Sequence, residues 1–294
     1  MSKLSPSLKS LINAPFARPG QAPAPRHIHD IYTRIAHEAR ERRYGERPWV
    51  TLSAAATFTL NSPASLLVLH QVASSPSSSS SSSSPLAIAE LIREIGLKCI
   101  SFNGIPRTIN CLGAFKAGVA SEAWATGLCA APSRAVTREN LASVAQRGRD
   151  LWASVYTPFD EKLEAKLADS HPDLPVHILG SHYGPLLADP DLKDRSGLAS
   201  VGRNLTSVVA IACLRAQTGV GPQVLSHVFG LRKGVEQGTH VSEFEGEEGE
   251  REGVERLAGD EGCEWLLKSV DEIAGAIGGS FGSWEEAKGR EAKL

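Results

Sequence analysis

Residues 197–234 read GLASVGRNLTSVVAIACLRAQTGVGPQVLSHVFGLRKG, and this stretch carries the clearest structural pattern in the chain. Apolar residues recur in its first half at steps of three, one, three and four, which places them on one face of an α-helix. A Gly-Val-Gly sequence ends that helix, and Pro222 suits the first turn of the next. The stretch therefore predicts two helices that meet at a Gly-Pro corner. The apolar face consists of Leu205, Val208, Val209, Ala212 and Ala216.

The helix after Pro222 carries two polar side chains of functional interest. Gln223 and His227 are four residues apart, so they share a face and lie one turn from each other. On this pattern alone, His227 is a hydrogen-bonded histidine within a helix-packing face.

Composition narrows the class of protein. The chain has 294 residues, enough for one large or two small domains, and 41% of them are hydrophobic, enough for a sizeable core. A net charge of −2 gives no basic field for nucleic acid, and no run of apolar residues is long enough for a transmembrane helix. The five cysteines are widely spaced, without Cys-x-x-Cys or Cys/His clusters. We therefore expect no disulfide scaffold, no metal site and a reducing compartment.

A second motif lies at residues 102–112, FNGIPRTINCL. Gly104 turns the chain and Pro106 starts a helix, so that Arg107 and Asn110 lie on adjacent turns. A helix N-terminus beside a guanidinium suits a carboxylate ligand. The alternative is that Arg107 makes a structural ion pair or a capping contact.

Together the two motifs resemble the carboxymuconolactone decarboxylase-like family, which includes the AhpD-like proteins. The resemblance covers roughly residues 49–118 and 137–278 and adds the segment HPDLPVHILGSHYGPLL at residues 171–187. It implies an all-α fold, an AhpD-like helical bundle built as a degenerate tandem repeat of helical hairpins, often in homo-oligomers. It also implies that His227 faces a small pocket instead of only packing between helices, and that His182 and Tyr183 line this pocket. The alternative for this pair is a buried tyrosine with a satisfied hydroxyl and a partly exposed histidine.

The family has two activities, and the first requires a Cys-x-x-Cys pair for thiol peroxidase chemistry. At one corner this chain has Ser62 and Ser65, followed by His70 one place later than the family pattern requires. At the other corner Val220 and Gln223 occupy the cysteine positions. A hydroxyl cannot form the disulfide of the redox cycle, so an AhpD-type peroxidase or oxidoreductase is the least favoured reading.

The second activity, decarboxylation of a carboxylated muconolactone, needs neither thiol nor cofactor. By this resemblance Arg107 would hold the carboxylate and His227 would move a proton to the developing dienolate carbon. Asn110 and Gln223 would orient the ligand by hydrogen bonds. We therefore expect a cofactor-independent lyase or isomerase on a small unsaturated carboxylic acid or lactone, with a non-catalytic helical protein that binds a ligand or partner as the alternative.

The chain divides by composition into four parts. Residues 1–29 predict a disordered basic arm or transit-like segment, and residues 30–136 a first AhpD-like half with a serine-rich insertion at 74–85. Residues 137–278 predict a second half, in which residues 240–262 read as a solvated, mobile acidic insertion. Residues 279–294 predict a flexible tail.

The two termini both resemble targeting signals. The chain ends in Ala292, Lys293 and Leu294, which resembles the Ser-Lys-Leu address read by the peroxisomal import receptor. Residues 1–29 are basic and contain no acid before Asp30, as in a mitochondrial transit peptide. We expect the peroxisomal matrix, with mitochondria as the alternative or additional site. We expect no nucleic-acid partner and no membrane insertion.

Overall fold

The regular structure is entirely helical in the computed structural model, which describes residues 4–75, 83–190 and 199–278. The predicted all-α class is therefore confirmed. A π-helical segment over Ile178–Leu187 precedes α11. The α-helices are α1 (Pro6–Ile12), α2 (Ile28–Glu41), α3 (Glu46–Thr59), α4 (Pro63–Ala73), α5 (Pro85–Lys98), α6 (Ile100–Asn103), α7 (Ile105–Gly118), α8 (Leu141–Tyr156), α9 (Asp160–Ser170), α10 (Asp173–His177), α11 (Gly202–Gln217), α12 (Gly221–Glu236), α13 (Thr239–Glu243), α14 (Glu248–Leu257) and α15 (Asp260–Ile277).

Two helices at the centre of the bundle are buried on all sides. Residues 48–59 of α3 and residues 204–214 of α11 are continuously buried, and the two helices pack against each other. A helix that is largely apolar on every side requires such a central position. Alanines in the middle of both helices keep the side chains small where the backbones approach. The predicted helix at residues 205–216 is thus half of the central pair.

The remaining helices surround this pair. α15 packs on both α3 and α11, while α4 and α5 pack on α3. α12 packs on α11, and α8 contacts both α12 and the π-helical segment. The Gly-Pro corner predicted within residues 197–234 is present between α11 and α12. Thr218 and Gly219 have left-handed conformations just before α12 begins.

The acidic segment is folded, contrary to the expectation of a mobile insertion at residues 240–262. It forms α13 and α14, and two of its glutamates reach the N-terminal ends of the central helices. Glu243 accepts hydrogen bonds from two backbone N–H groups in the first turns of α11 at 2.7 and 3.1 Å. Glu250 does the same at α3, also at 2.7 and 3.1 Å. Carboxylates at these positions accept hydrogen bonds from otherwise unpaired N–H groups, and their negative charge interacts favourably with the positive end of the helix dipole.

The N-terminal arm is also more ordered than its prolines predict. Residues 6–12 form α1 because Ser5 accepts a hydrogen bond from the Leu8 N–H at 3.2 Å and Pro6 suits the first turn. No residue of this helix is buried. Most of the serine tract, and the terminal tripeptide Ala292, Lys293 and Leu294, lie outside the described residues. Within the described ranges, none of the helices combines the length and apolar character needed to cross a bilayer.

Candidate functional site

Four aromatic side chains meet where α8, α12 and the π-helical segment pack together. Trp152 and Tyr156 lie one turn apart on α8, with ring centroids 4.3 Å apart. Tyr183 meets the Trp152 ring edge-on at 5.0 Å, and His227 of α12 lies 6.1 Å from the Tyr156 ring. We call Trp152, Tyr156, Tyr183 and His227 the His227 cluster. It brings together two residues predicted from the sequence, Tyr183 and His227.

The short helix α6 connects the FNGIPRTINCL motif to this cluster. The ring of Phe102 meets His227 edge-on, with centroids 5.9 Å apart. The neighbouring Ser101 hydroxyl lies 3.0 Å from Nδ1 of His182, which is half-buried beside Tyr183. The motif therefore contributes Phe102 to the site, ahead of its glycine turn, and Ser101 contributes from the residue before the motif.

A chain of hydrogen bonds leads through the cluster to the histidine. The Tyr183 hydroxyl donates to the Tyr156 hydroxyl at 3.1 Å, and the Tyr156 hydroxyl lies 3.4 Å from Nε2 of His227. Within the described part of the chain, Nδ1 of His227 and Nε1 of Trp152 have no hydrogen-bond partner. Their side chains belong to residues that are only 8% and 4% exposed. Most buried polar atoms in folded proteins are satisfied, and these two nitrogens share their lack of a partner with a few other buried atoms of the described residues, among them Oγ of Ser53 and Nδ1 of His240.

The electrostatic surroundings keep the histidine neutral. Burial, reinforced by the charge of Arg203, lowers the pKa of His227 to about 4. Arg203 is itself tied down, since its guanidinium donates to the Ser154 hydroxyl at 2.7 Å, the Ser207 hydroxyl at 2.8 Å and the Gly230 carbonyl at 2.8 Å. Arg203 thus supplies a fixed positive charge to the site.

The two phenols keep their hydrogens at neutral pH. Burial raises the pKa of Tyr156, and burial together with the neighbouring phenol raises the pKa of Tyr183. A neutral imidazole beside two phenols is able to accept, hold or pass on a proton. The arrangement suits general acid–base chemistry on a small molecule.

The contacts of Arg107 and Asn110 lie at the other corner of the bundle. Arg107 is half-buried, and its guanidinium donates to the carbonyl of Thr59 at the end of α3. Asn110 is exposed and donates to Asn61 at 3.2 Å. These contacts correspond to the capping alternative, since they supply hydrogen bonds to the last carbonyl of α3 and to a side chain in the turn that follows. A role for Arg107 in holding a carboxylate, and for Asn110 in orienting a ligand, stays a prediction.

The other two predicted residues differ in position. Gln223 is exposed in the first turn of α12, one turn before His227. The ring of His182 lies 5.2 Å from that of His177, and burial followed by the charge of His177 lowers its pKa. His182 therefore borders the cluster, whereas Gln223 is exposed at the N-terminal end of α12, on the face that carries His227.

Sequence reasoning missed three contributors. Trp152 and Tyr156 are an aromatic pair at helical spacing, a pattern that core residues produce as readily as a binding site. Arg203 is a cation in the first turn of an otherwise mostly uncharged helix. A charged side chain at a helix that is predicted to be buried needs polar partners, and this was the signal available in the sequence.

A broad groove of about 1560 Å³ runs along α13 and α14, and none of the four cluster residues lines it. Across residues 4–75, 83–190 and 199–278, no three histidine, cysteine, aspartate or glutamate side chains gather in a way that could hold a metal ion.

No protein-family model, curated protein or solved structure matches this chain. The fold and the site therefore define the class on their own: an all-α bundle with a buried histidine–tyrosine cluster beside its central helices.

Proposed function

We propose that the His227 cluster is the site of a cofactor-independent lyase or isomerase that acts on a small unsaturated carboxylic acid or lactone. The observation that carries this proposal is the neutral, buried imidazole of His227 in contact with the phenol chain of Tyr156 and Tyr183. The resemblance to carboxymuconolactone decarboxylase-like proteins supports it. In that reading, α3–α4 and α11–α12 are the corresponding corners of a degenerate AhpD-like repeat.

The decarboxylation would proceed through one proton transfer. A bound carboxylate close to His227 favours the charged imidazolium and raises the pKa of the histidine toward its ordinary value. The bond from the ring to the carboxylate breaks, carbon dioxide leaves, and the electron pair enters the conjugated dienolate. His227 then gives its proton to the dienolate carbon and is reprotonated from solvent. The net change is replacement of the carboxylate by hydrogen, with one proton consumed.

Turnover of 4-carboxymuconolactone, followed by ultraviolet loss of substrate, tests the proposal. His227→Gln preserves a polar side chain of similar size and should lower kcat by about 100-fold or more, the usual contribution of a general acid–base group. The matched control is His70→Gln, because His70 is an equally buried histidine on α4. A wild type without turnover, or a His227→Gln variant as active as the wild type, overturns the proposal.

The second candidate is a non-catalytic protein that binds a ligand or a partner. It is favoured by the closure of the site, in which His227 and Tyr183 are 8% and 6% exposed. It is also favoured by the capping contact of Arg107 with Thr59. Binding of 4-carboxymuconolactone without turnover, measured by calorimetry, would select this candidate over the enzyme.

A thiol peroxidase is the least supported candidate. Cys99 and Cys213 lie 3.5 Å apart, but both are fully buried, and burial raises the pKa of the Cys99 thiol well above its ordinary value. A buried thiol with a raised pKa is a poor nucleophile. We expect Ellman's reagent to modify the half-buried Cys129 before either of these thiols in the folded protein.

We also propose a peroxisomal location through recognition of Ala292, Lys293 and Leu294 by the import receptor, and a homo-oligomeric assembly. A fluorescent fusion at the N-terminus should enter peroxisomes and lose that location when the last three residues are removed. A fusion at the C-terminus that enters mitochondria would support the alternative address. Light scattering of the purified chain measures the oligomer directly.

A further inference from the structure

The phenol chain bears on which nitrogen of His227 carries the hydrogen. The Tyr183 hydroxyl donates to the oxygen of Tyr156, and the Tyr156 hydroxyl keeps its own hydrogen for Nε2 of His227, 3.4 Å away. Burial and the nearby charge of Arg203 keep the imidazole neutral, so that the ring carries a single hydrogen. When Tyr156 donates to Nε2, that hydrogen lies on Nδ1; when Nε2–H donates to the Tyr156 oxygen, Nδ1 is bare.

In the Nδ1–H tautomer, two donors in the cluster lack an acceptor. Nδ1–H of His227 has no partner among the described residues, and neither has Nε1–H of Trp152. An indole nitrogen only donates, so an acceptor is the sole group that satisfies it. The comparison with Trp265 shows how unusual this is. Trp265 is also 4% exposed, but its Nε1–H donates to Glu38 at 2.7 Å.

Both donors belong to side chains that pack on Tyr156, and the charge of Arg203 lies near this group. The rings of Trp152 and His227 both pack on Tyr156, with centroids 4.3 and 6.1 Å from it. The fixed charge of Arg203 acts on the same histidine. Phe102 and Tyr183 add flat aromatic walls. Aromatic faces, two N–H donors and a nearby cation together favour a flat ligand that is rich in electrons at one end.

We propose that the His227 cluster binds the oxygen acceptor of a flat conjugated ligand, a carboxylate or conjugated carbonyl, through Nδ1–H of His227 and Nε1–H of Trp152. Tyr156 and Tyr183 are positioning residues that hold His227 in the Nδ1–H tautomer. This inference rests on the proposed function and deepens it, because it assigns to Trp152 the contact that the sequence assigned to Arg107.

Among the helices near the cluster, α9 is the one to examine for local opening, because it buries little apolar surface. Leu163 and Leu167 of this helix are half-buried against the apolar group of Trp152, Tyr183 and Leu187, and no residue of α9 is fully buried. Local opening is easiest where few apolar side chains are buried. α9 is therefore the neighbouring helix that opens most easily.

Nitrogen-15 NMR of the full chain tests the inference without any need for turnover. Long-range ring spectra should show His227 with its hydrogen on Nδ1, and Trp152→Phe and His227→Gln identify the two signals. Titration with benzoate should shift the Nδ1–H of His227 and the Nε1–H of Trp152 downfield, and benzamide should shift them less. Benzylamine, a cation without an oxygen acceptor, should leave them unchanged.

Three results overturn the inference. The free protein shows the Nε2–H tautomer of His227, or the two signals ignore benzoate because a buried water already satisfies them, or benzylamine shifts them as benzoate does. Benzoate binding without turnover of 4-carboxymuconolactone would instead overturn the proposed function alone, so the two failures are distinguishable.

Conservative variants separate the two roles. Trp152→Phe keeps an aromatic ring but removes the donor, and should weaken benzoate binding by about tenfold, the loss expected for one hydrogen bond to a charged group. Trp265→Phe, the matched control, should leave benzoate affinity unchanged. Tyr156→Phe should move His227 toward the Nε2–H tautomer, a spectroscopic change that a purely structural role would not produce. A Tyr156→Phe variant that retains the Nδ1–H tautomer contradicts the positioning role.

Discussion

The α3–α4 corner and the α11–α12 corner share one plan, yet their buried histidines are bonded differently. At each corner a central helix, capped by a glutamate, ends before a left-handed residue, and the next helix has proline in its first turn. His70 and His227 follow within two turns and are 6% and 8% exposed. Up to this point the two corners are alike.

The histidines differ in what surrounds their nitrogens. Nε2 of His70 lies 2.8 Å from the Pro85 carbonyl, and its ring packs between Phe115 and Trp124. His227 has a long contact to a phenol and an unsatisfied nitrogen. A histidine bonded to the backbone stabilises the fold, whereas one with spare hydrogen-bonding capacity is available to a ligand. Because residue type and burial are the same at both corners, the unsatisfied nitrogen is the difference on which we base the proposed site at the α11–α12 corner.

The largest effect that we expect on stability is the pH dependence caused by His227. Its folded pKa of about 4 lies below the ordinary value of 6.5, so the unfolded chain binds the proton more tightly between these values. Above pH 6.5 His227 is neutral in both states and costs no stability. As the pH falls from 6.5 toward 4, the free energy of unfolding decreases by up to about 3 kcal/mol because of this residue.

Urea denaturation of the wild type and His227→Gln at pH 7.5 and pH 4.5 isolates this contribution as a difference between the two proteins. The stability of His227→Gln should fall less on acidification than that of the wild type. Equal losses in the two proteins would show that His227 is not buried as a neutral group. His70→Gln, from the other corner, should also lose less stability on acidification than the wild type, because burial lowers the pKa of His70 too.

A smaller effect is expected at the N-terminal caps of the two central helices. Glu243→Ala removes the acceptor for the first turns of α11, and Glu250→Ala does so for α3. Each variant should lose about 1–2 kcal/mol of unfolding free energy, as for other helix caps. Thermal unfolding measures the loss. Glu245→Ala is the control because Glu245 is exposed, and a cap variant as stable as this control would contradict the capping role.

The smallest effect is expected for Arg107→Ala, which sharpens the contrast between the corners. A capping arginine that donates to Thr59 contributes about 1 kcal/mol, so the variant should unfold at a slightly lower temperature with its KM for 4-carboxymuconolactone unchanged. Calorimetry and steady-state kinetics measure the two quantities. A raised KM at unchanged stability would instead assign Arg107 to the substrate carboxylate.

Strong local patterns explain why much of the fold was predictable. The central helix α11 and the corner before α12 follow from apolar spacing, a Gly-Val-Gly stop and Pro222, which act within a few residues. The prediction for the acidic segment was wrong because Glu243 and Glu250 accept hydrogen bonds from the N-terminal ends of α11 and α3, which are distant in sequence. Composition reveals charge, but it does not reveal which backbone N–H groups that charge will meet.

The site was predictable only in part for a similar reason. His227 and Tyr183 were found through motifs, and the structure brings them together through Tyr156, which no motif indicates. Trp152 has the spacing of an ordinary core residue, and only its unsatisfied nitrogen distinguishes it. Hydrogen-bond satisfaction is a property of the packed chain and has no signature in the sequence.

A pH titration of the histidine ring signals by NMR, with and without benzoate, tests most directly whether the α11–α12 corner carries the site. His227 should remain neutral down to a pKa of about 4 in the free protein, and benzoate should raise that pKa while it leaves the signals of His70 unchanged. A His227 that titrates near 6.5, or a response to benzoate at His70 and not at His227, would contradict the assignment of the site to this corner.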